Sequence, residues 1–145
     1  MPDDYQISTD PQRLDIGFIH DFLRTSYWAE NIPRDVVERS IQHSLCCGAF
    51  SGARQVGFAR AVTDRATFAY VADVFVVPEH RGLGISKCLV RALLEHPELQ
   101  GLRRLLLATR DAHGLYAQFG FKPLANPEYF MTIHRPDVYR RRPGG

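Results

Sequence analysis

The tightest constraint on this chain is a stretch that changes period twice. Residues 67–77 are rich in aromatic and β-branched side chains and read as a long strand, which Pro78 ends by withholding an N–H from the ladder. Gly82 and Gly84 then make a turn that opens a helix, in which Ile85, Cys88, Leu89, Ala92 and Leu93 fall at i, i+3, i+4, i+7 and i+8. Lys87, Arg91 and Glu95 stay outside, and His96-Pro97 stops it. Leu105, Leu106, Leu107 and Ala108 follow as a continuously apolar strand, expected to be buried on both faces and, because a helix makes the connection, parallel to the strand before. The first strand is longer than the usual ~5–6 residues, so a bend or bulge is expected within it.

A helix that starts straight after a glycine turn points several unpaired N–H groups and the positive end of its dipole at one small volume. With Arg81 and Lys87 flanking it, the turn reads as a seat for a pyrophosphate. A tight turn with no ligand is the plainer alternative, since a lone G-x-G is common. Two phosphate motifs are excluded. The G-x-x-x-x-G-K-[ST] spacing of a nucleotide-triphosphate loop is missing, and the turn comes too late for the dinucleotide fingerprint that opens a doubly wound sheet.

Upstream, residues 5–8 read as a short first strand, and Asp10-Pro11 offers an N-cap with proline at the first helical position. That helix presents Phe18, Ile19, Phe22 and Leu23 to a core and leaves Asp15, His20, Asp21 and Arg24 mostly to water. Residues 25–32 break the pattern and Pro33 restarts it, with Val36, Val37, Ser40, Ile41 and Ser44 on one side. Residues 46–51 and 56–63 form a hairpin about residues 52–55, and residues 64–66 turn into the long strand. Downstream, Asp111 can cap a last helix carrying Ala112, Leu115, Tyr116 and Phe119 on one side, with Gly120 as its C′ glycine. Residues 121–124 and 129–134 read as two final strands. The expected architecture is one α/β domain spanning residues 1–145, with a mixed sheet that is mostly antiparallel and has one parallel step in its middle.

Composition narrows the function classes. At 145 residues, with 45% apolar and 23% charged residues, the chain matches one ordinary globular domain. No apolar run approaches the ~20 residues of a membrane span, and the polar, acidic start lacks the pattern of a secretory signal, so a cytoplasmic location is expected. Cys46, Cys47 and Cys88 are an odd number without metal-ligand spacing; reduced core-filling thiols are expected, with a catalytic thiol the weaker alternative, and no metal. Residues 135–145 form a basic, partly disordered tail, and without an aromatic stacking platform nucleic acid is a disfavoured partner.

Two segments in series raise the odds of a ligand at the turn. The first is Val76-Val-Pro78-Glu-His-Arg81-Gly-Leu-Gly84-Ile-Ser86, and the second is Ala112-His-Gly-Leu115-Tyr116-Ala-Gln-Phe-Gly120-Phe121. Together they resemble the GNAT family of acetyl-coenzyme A-dependent acyltransferases, whose patterns are V-x-P-x-x-[QR]-x-x-G-x-[GA] and N-x-x-A-x-x-L-Y-x-x-x-G-F. Element order is similar over almost the whole chain. Ser86 departs from the glycine or alanine of the pattern, and Thr109 stands where many members have asparagine.

The resemblance implies a single-domain acyl-CoA N-acyltransferase fold and transfer of acetyl from acetyl-coenzyme A to a primary amine. It implies that Val74, Phe75 and Val76 address the acetyl and pantetheine portions, that Arg81, Gly82, Leu83, Gly84, Ile85, Ser86 and Lys87 seat the pyrophosphate, and that Thr109 lies by the pantetheine arm. Tyr116 matches the family tyrosine that protonates the leaving thiolate. A phenol with a pKa of about 10 can donate to a thiolate whose conjugate acid is near 8.5, although simple packing would also place Tyr116 on its helix's apolar side. Asp73, a carboxylate inside an apolar strand, is the first candidate for the base; a structural Asp paired with arginine, His113, or a water chain remain alternatives. Tyr27, Trp28 and Glu30, in the break between the first two helices, and Tyr70 are the candidate acceptor contacts. A non-catalytic acyl-CoA-binding regulatory module is the rival reading. The acceptor's identity and a homodimeric state are left open.

Overall fold

The computed structural model describes residues 1–140. Its sheet has five strands in the order of the chain: β1 (Tyr5–Ser8), β2 (Leu45–Ser51), β3 (Arg54–Thr63), β4 (Phe68–Val76) and β5 (Arg104–Leu107). The first three junctions are antiparallel and β4 pairs with β5 in parallel, as a helical crossover requires. That crossover is α3 (Ile85–Glu95), and the opposite face of the sheet carries α1 (Ile16–Leu23) and α2 (Arg34–Gln42).

Strand periodicity sorts the core into two halves. Cys47, Ala59 and Val76 pack with Ile85, Leu89 and Leu93 of α3, whereas their neighbours Cys46, Phe58 and Phe75 pack with Ile19 and Leu23 of α1 and Val37 of α2. Both faces of the central strands are therefore covered, and nearly all of β2 and much of β3 are buried on either side of the pleat.

Several local expectations are corrected. Asp10 accepts from the Gln12 N–H but caps only a 3-10 turn at Pro11–Arg13; Asp15 caps α1, its carboxylate accepting from the Phe18 N–H at 3.1 Å. The last helix, α4 (His113–Ala117), is not capped by Asp111. The Ala112 N–H donates instead to Thr109 Oγ1 at 3.1 Å, and Ala112 takes the cap position. Gly120 does close this helix: its N–H donates to Ala117 O and that of Phe121 to Tyr116 O, with φ of 94° at the glycine.

The two final strands at residues 121–124 and 129–134 are not formed in this chain. The parallel step therefore lies at the end of the sheet rather than in its middle, and β5 is half-buried rather than covered on both faces. A strand needs a partner edge, and residues 130–135, although extended in pattern, have none. Of the basic tail, residues 136–140 form turns with an Asp137–Arg140 ion pair, and residues 141–145 lie outside the described residues.

Candidate active site

The site begins with a bulge. Phe58 pairs with Phe75 and Arg60 with Ala72, so Asp73 and Val74 on β4 oppose the single residue Ala59 on β3. Asp73 absorbs the extra residue at φ 55°, a left-handed conformation that Asp tolerates better than bulkier side chains. The bend has a second effect. β4 pairs with β5 only from Phe68 to Val71, and beyond that point the strands part. Val74, Phe75 and Val76 then line a cleft of about 940 Å³ without a ladder partner on that side.

The glycine turn closes one end. Gly82 and Gly84 have φ of 81° and 79°, and the amides of residues 82–87 donate to no group among the described residues. Successive free N–H groups of this kind form a concave anion seat, reinforced by the α3 dipole. Tyr5 pins the turn from β1: its hydroxyl lies 2.6 Å from His80 Nδ1, and the two rings meet edge to face. Arg81 Nε donates to Val76 O at 2.8 Å, tying the turn back to the end of β4. Arg81 and Ser86 line the cleft; Lys87 is exposed outside its wall.

The opposite wall comes from the break between α1 and α2. Ser26 Oγ donates to Leu23 O and accepts from the Ala29 N–H, and His20 Nε2 donates to Ile32 O at 3.0 Å. With Ala29 and Ile32 buried, this loop turns Tyr27 and Trp28 to the cleft. Trp28 Nε1 donates to Asp73 Oδ1 and Arg60 Nε to Asp73 Oδ2, both at 2.8 Å, and Arg60 Nη1 reaches Ser44 Oγ at 3.1 Å. Phe22, beside Trp28, stacks flat on Phe75 at 3.8 Å, which joins the wall to the bulged strand. Tyr70 also lines the cleft, whereas Glu30 is exposed and takes no part in it.

The third side is the segment after β5. Thr109, Ala112, Leu115 and Tyr116 line the cleft, and the Thr109 hydroxyl, already accepting from Ala112, keeps its hydrogen to donate. Tyr116 is buried, rests edge to face on Phe121, and among the described residues no group bonds its hydroxyl. Burial first, and then nearby Tyr27, raise its pKa above the ordinary phenol value, which holds it protonated. His113 lines a different groove, beside β5.

Sequence reasoning missed Arg60, Arg110 and Tyr139, all of which line the cleft. The guanidinium of Arg110 lies 3.7 Å from the centre of the Tyr27 ring and bridges two walls. Arg60 had one usable signal: it sits on the strand opposite the only acidic residue of β4. Burial pushes Cys46 and Cys47 up to about 12, so neither offers a thiolate. Among the described residues no group of three or more His, Cys, Asp or Glu could hold a metal, and no helix is long and apolar enough to cross a membrane.

Known proteins share this fold. A Xanthomonas campestris pv. campestris crystal structure assigned to the GNAT acetyltransferases is 54% identical, with a TM-score of 0.92 over 96% of this chain and 98% of that one. A Gibberella zeae protein named as an acetyltransferase is 33% identical over 79% of this chain and 77% of its own length. A Clostridium acetobutylicum protein solved with acetyl-CoA shares the fold at 14% identity, with a TM-score of 0.65 over 90% of this chain and 94% of that one. The profile of the Acetyltransferase (GNAT) family matches residues 15–121, and with its bulged strand, glycine turn and Tyr116 helix the chain belongs to that family of acyltransferase enzymes.

Proposed function

We propose that the protein moves an acetyl group from acetyl-coenzyme A to a primary amine by direct attack of the amine. The observation that carries this reading is an unladdered β4 backbone in a cleft that also takes in Arg81 and Ser86, with the free amides of residues 82–87 at that end. Together they fit a long ligand with an anionic middle and an amide-rich arm.

The coenzyme supplies an acyl group activated as a thioester, and a thiol that can leave. The amides of residues 82–87 hold the pyrophosphate, with Lys87 adding charge and Ser86 a hydroxyl. Arg81, in turning from the Val76 carbonyl to a phosphate, frees an acceptor for the pantetheine arm as it gains an anion. Val74, Phe75 and Thr109 offer the remaining polar groups along that arm. Tyr116 gives its phenolic proton to the departing sulfur, a role suited to a buried hydroxyl that no group among the described residues engages.

Both carboxylate oxygens of Asp73 already accept, one from Trp28 and one from Arg60, which holds the side chain in the bulge; we therefore assign it to positioning, with the amine's proton leaving through water in the cleft. Tyr27, Trp28 and Tyr70 form the acceptor wall. Three free cysteines suit a reducing, cytoplasmic setting.

Calorimetric titration with acetyl-coenzyme A, followed by free-thiol release across a panel of amines, tests the reading. Binding with amine-dependent release is expected. Absence of binding by folded protein overturns it, and binding without release for any amine leaves a coenzyme-binding module in its place.

A further inference from the structure

The far end of the sheet is unfinished in a way the single chain does not repair. Among the described residues β5 pairs only with β4, and its free side opens on an apolar groove of about 600 Å³ that includes Leu105, Leu107, Phe121 and Leu124. Nearby, residues 129–134 alternate as a strand would, yet Tyr129 is 76%, Met131 98% and Ile133 80% exposed. The N–H groups of residues 131–134 have no backbone acceptor among the described residues. An open edge beside an exposed apolar strand sequence is a standing liability unless something covers both.

The chain's own segment does not cover its own edge. Phe130 rests against Arg104 at the start of β5, 5.1 Å from guanidinium carbon to ring centre, and the residues after it leave the sheet for solvent. Beyond them Tyr139 packs against the core beneath the cleft, so the segment is a strap held at both ends with its apolar side chains outward. The other sheet edge, β1, is a poor match. Its flank carries Gln6, Ser8, Arg13 and Arg91.

We infer that the edge of β5 and the strap at residues 129–134 are the two halves of a self-complementary interface, each copy's strap completing the sheet of a second copy. The open edge and the missing strand belong to the same sequence, so one two-fold arrangement satisfies both twice. Covering Tyr129, Phe130, Met131 and Ile133 takes on the order of 500 Å² out of water in each copy, at roughly 150–250 Å² for each large aromatic side chain. Two straps with two receiving grooves remove roughly 2,000 Å², the size of a stable protein interface.

Sedimentation equilibrium over a dilution series, with hydrogen exchange on the same samples, tests this. A dimer is expected, with the amides of residues 104–107 and 131–134 losing protection together on dilution. The double variant Met131→Glu/Ile133→Lys should be monomeric with an unchanged circular dichroism spectrum, because neither side chain packs within the single chain. A wild-type monomer at high concentration, a variant that stays dimeric, or protection of residues 131–134 that does not change on dilution each overturns the inference.

Discussion

Trp28 and Asp73 lie 45 residues apart in sequence and meet through one hydrogen bond, indole Nε1 to carboxylate Oδ1 at 2.8 Å. It fixes the cleft wall proposed to meet the acceptor to the strand bulge, whose left-handed residue is the same Asp73. Trp28→Phe keeps an aromatic ring beside Phe22 and Tyr27 but removes the donor together with the fused pyrrole ring. A hydrogen bond to a charged group contributes about 1.5–3 kcal/mol, so a rise of roughly tenfold or more in acceptor KM is expected. Acetyl-coenzyme A affinity should stay unchanged, as steady-state kinetics with calorimetry would check. An equal loss in coenzyme affinity would mean the bond shapes the whole cleft.

Tyr116→Phe removes the hydroxyl while leaving the ring on Phe121. A fall of about 10²–10⁴ in kcat is expected, with coenzyme binding nearly intact. Because burial raises the pKa of Tyr116, its protonated form persists to higher pH than in an ordinary phenol. The wild-type kcat profile should therefore show no alkaline fall from loss of this acid below about pH 10. Unchanged turnover in the variant would reduce Tyr116 to a packing role.

What was legible in the sequence was local. The hairpin, the Pro33 restart, the bulge within residues 67–77, the α3 stripe and the Gly120 cap each depend on neighbours a few residues apart, and each is present. The strands expected at residues 121–124 and 129–134 depend on a distant edge, and pattern alone cannot say whether that edge is reached. Competing caps fail for a related reason: Asp10 and Asp15 both suit an N-terminus, and tertiary packing chooses between them. Most of the residues proposed to meet the coenzyme fall in one continuous stretch, Val74 to Lys87, whose strand end and glycine turn are local features that pattern can show. Arg110 and Tyr139 reach the cleft only through the fold, from positions that look like solvated loop and tail.

Cys46 and Cys47 set an alkaline limit on stability. Burial raises both from 9.0 to about 12, with Arg60 partly opposing the rise at Cys46. In the unfolded chain the thiols ionise near 9, whereas the folded core holds them neutral. Their contribution is therefore complete below pH 9.0 and is lost as pH climbs towards about 12. Urea midpoints, corrected for other titrations by comparison with Cys47→Ala, should show a shallower alkaline decline in the variant. Rapid native labelling of both thiols at neutral pH would contradict their neutral, buried state.

Gly84 and Ser86 separate the two ways the turn can hold an anion. At Gly84, φ is 79° and the nearest atom a Cβ would meet is the Met1 nitrogen at 3.9 Å, so Gly84→Ala introduces strain without a clash. A left-handed alanine costs roughly 1–2 kcal/mol, and relaxing that strain would turn the neighbouring amides off their common focus. Coenzyme affinity is expected to fall about tenfold with the fold retained, since 1.4 kcal/mol is a factor of ten. Ser86→Ala leaves every backbone N–H in place and removes one hydroxyl, worth about 1 kcal/mol net, so its loss should stay below tenfold. Calorimetry on both variants ranks the contributions. If Ser86→Ala proves the more damaging, the hydroxyl rather than the run of amides is the main anchor for the phosphate.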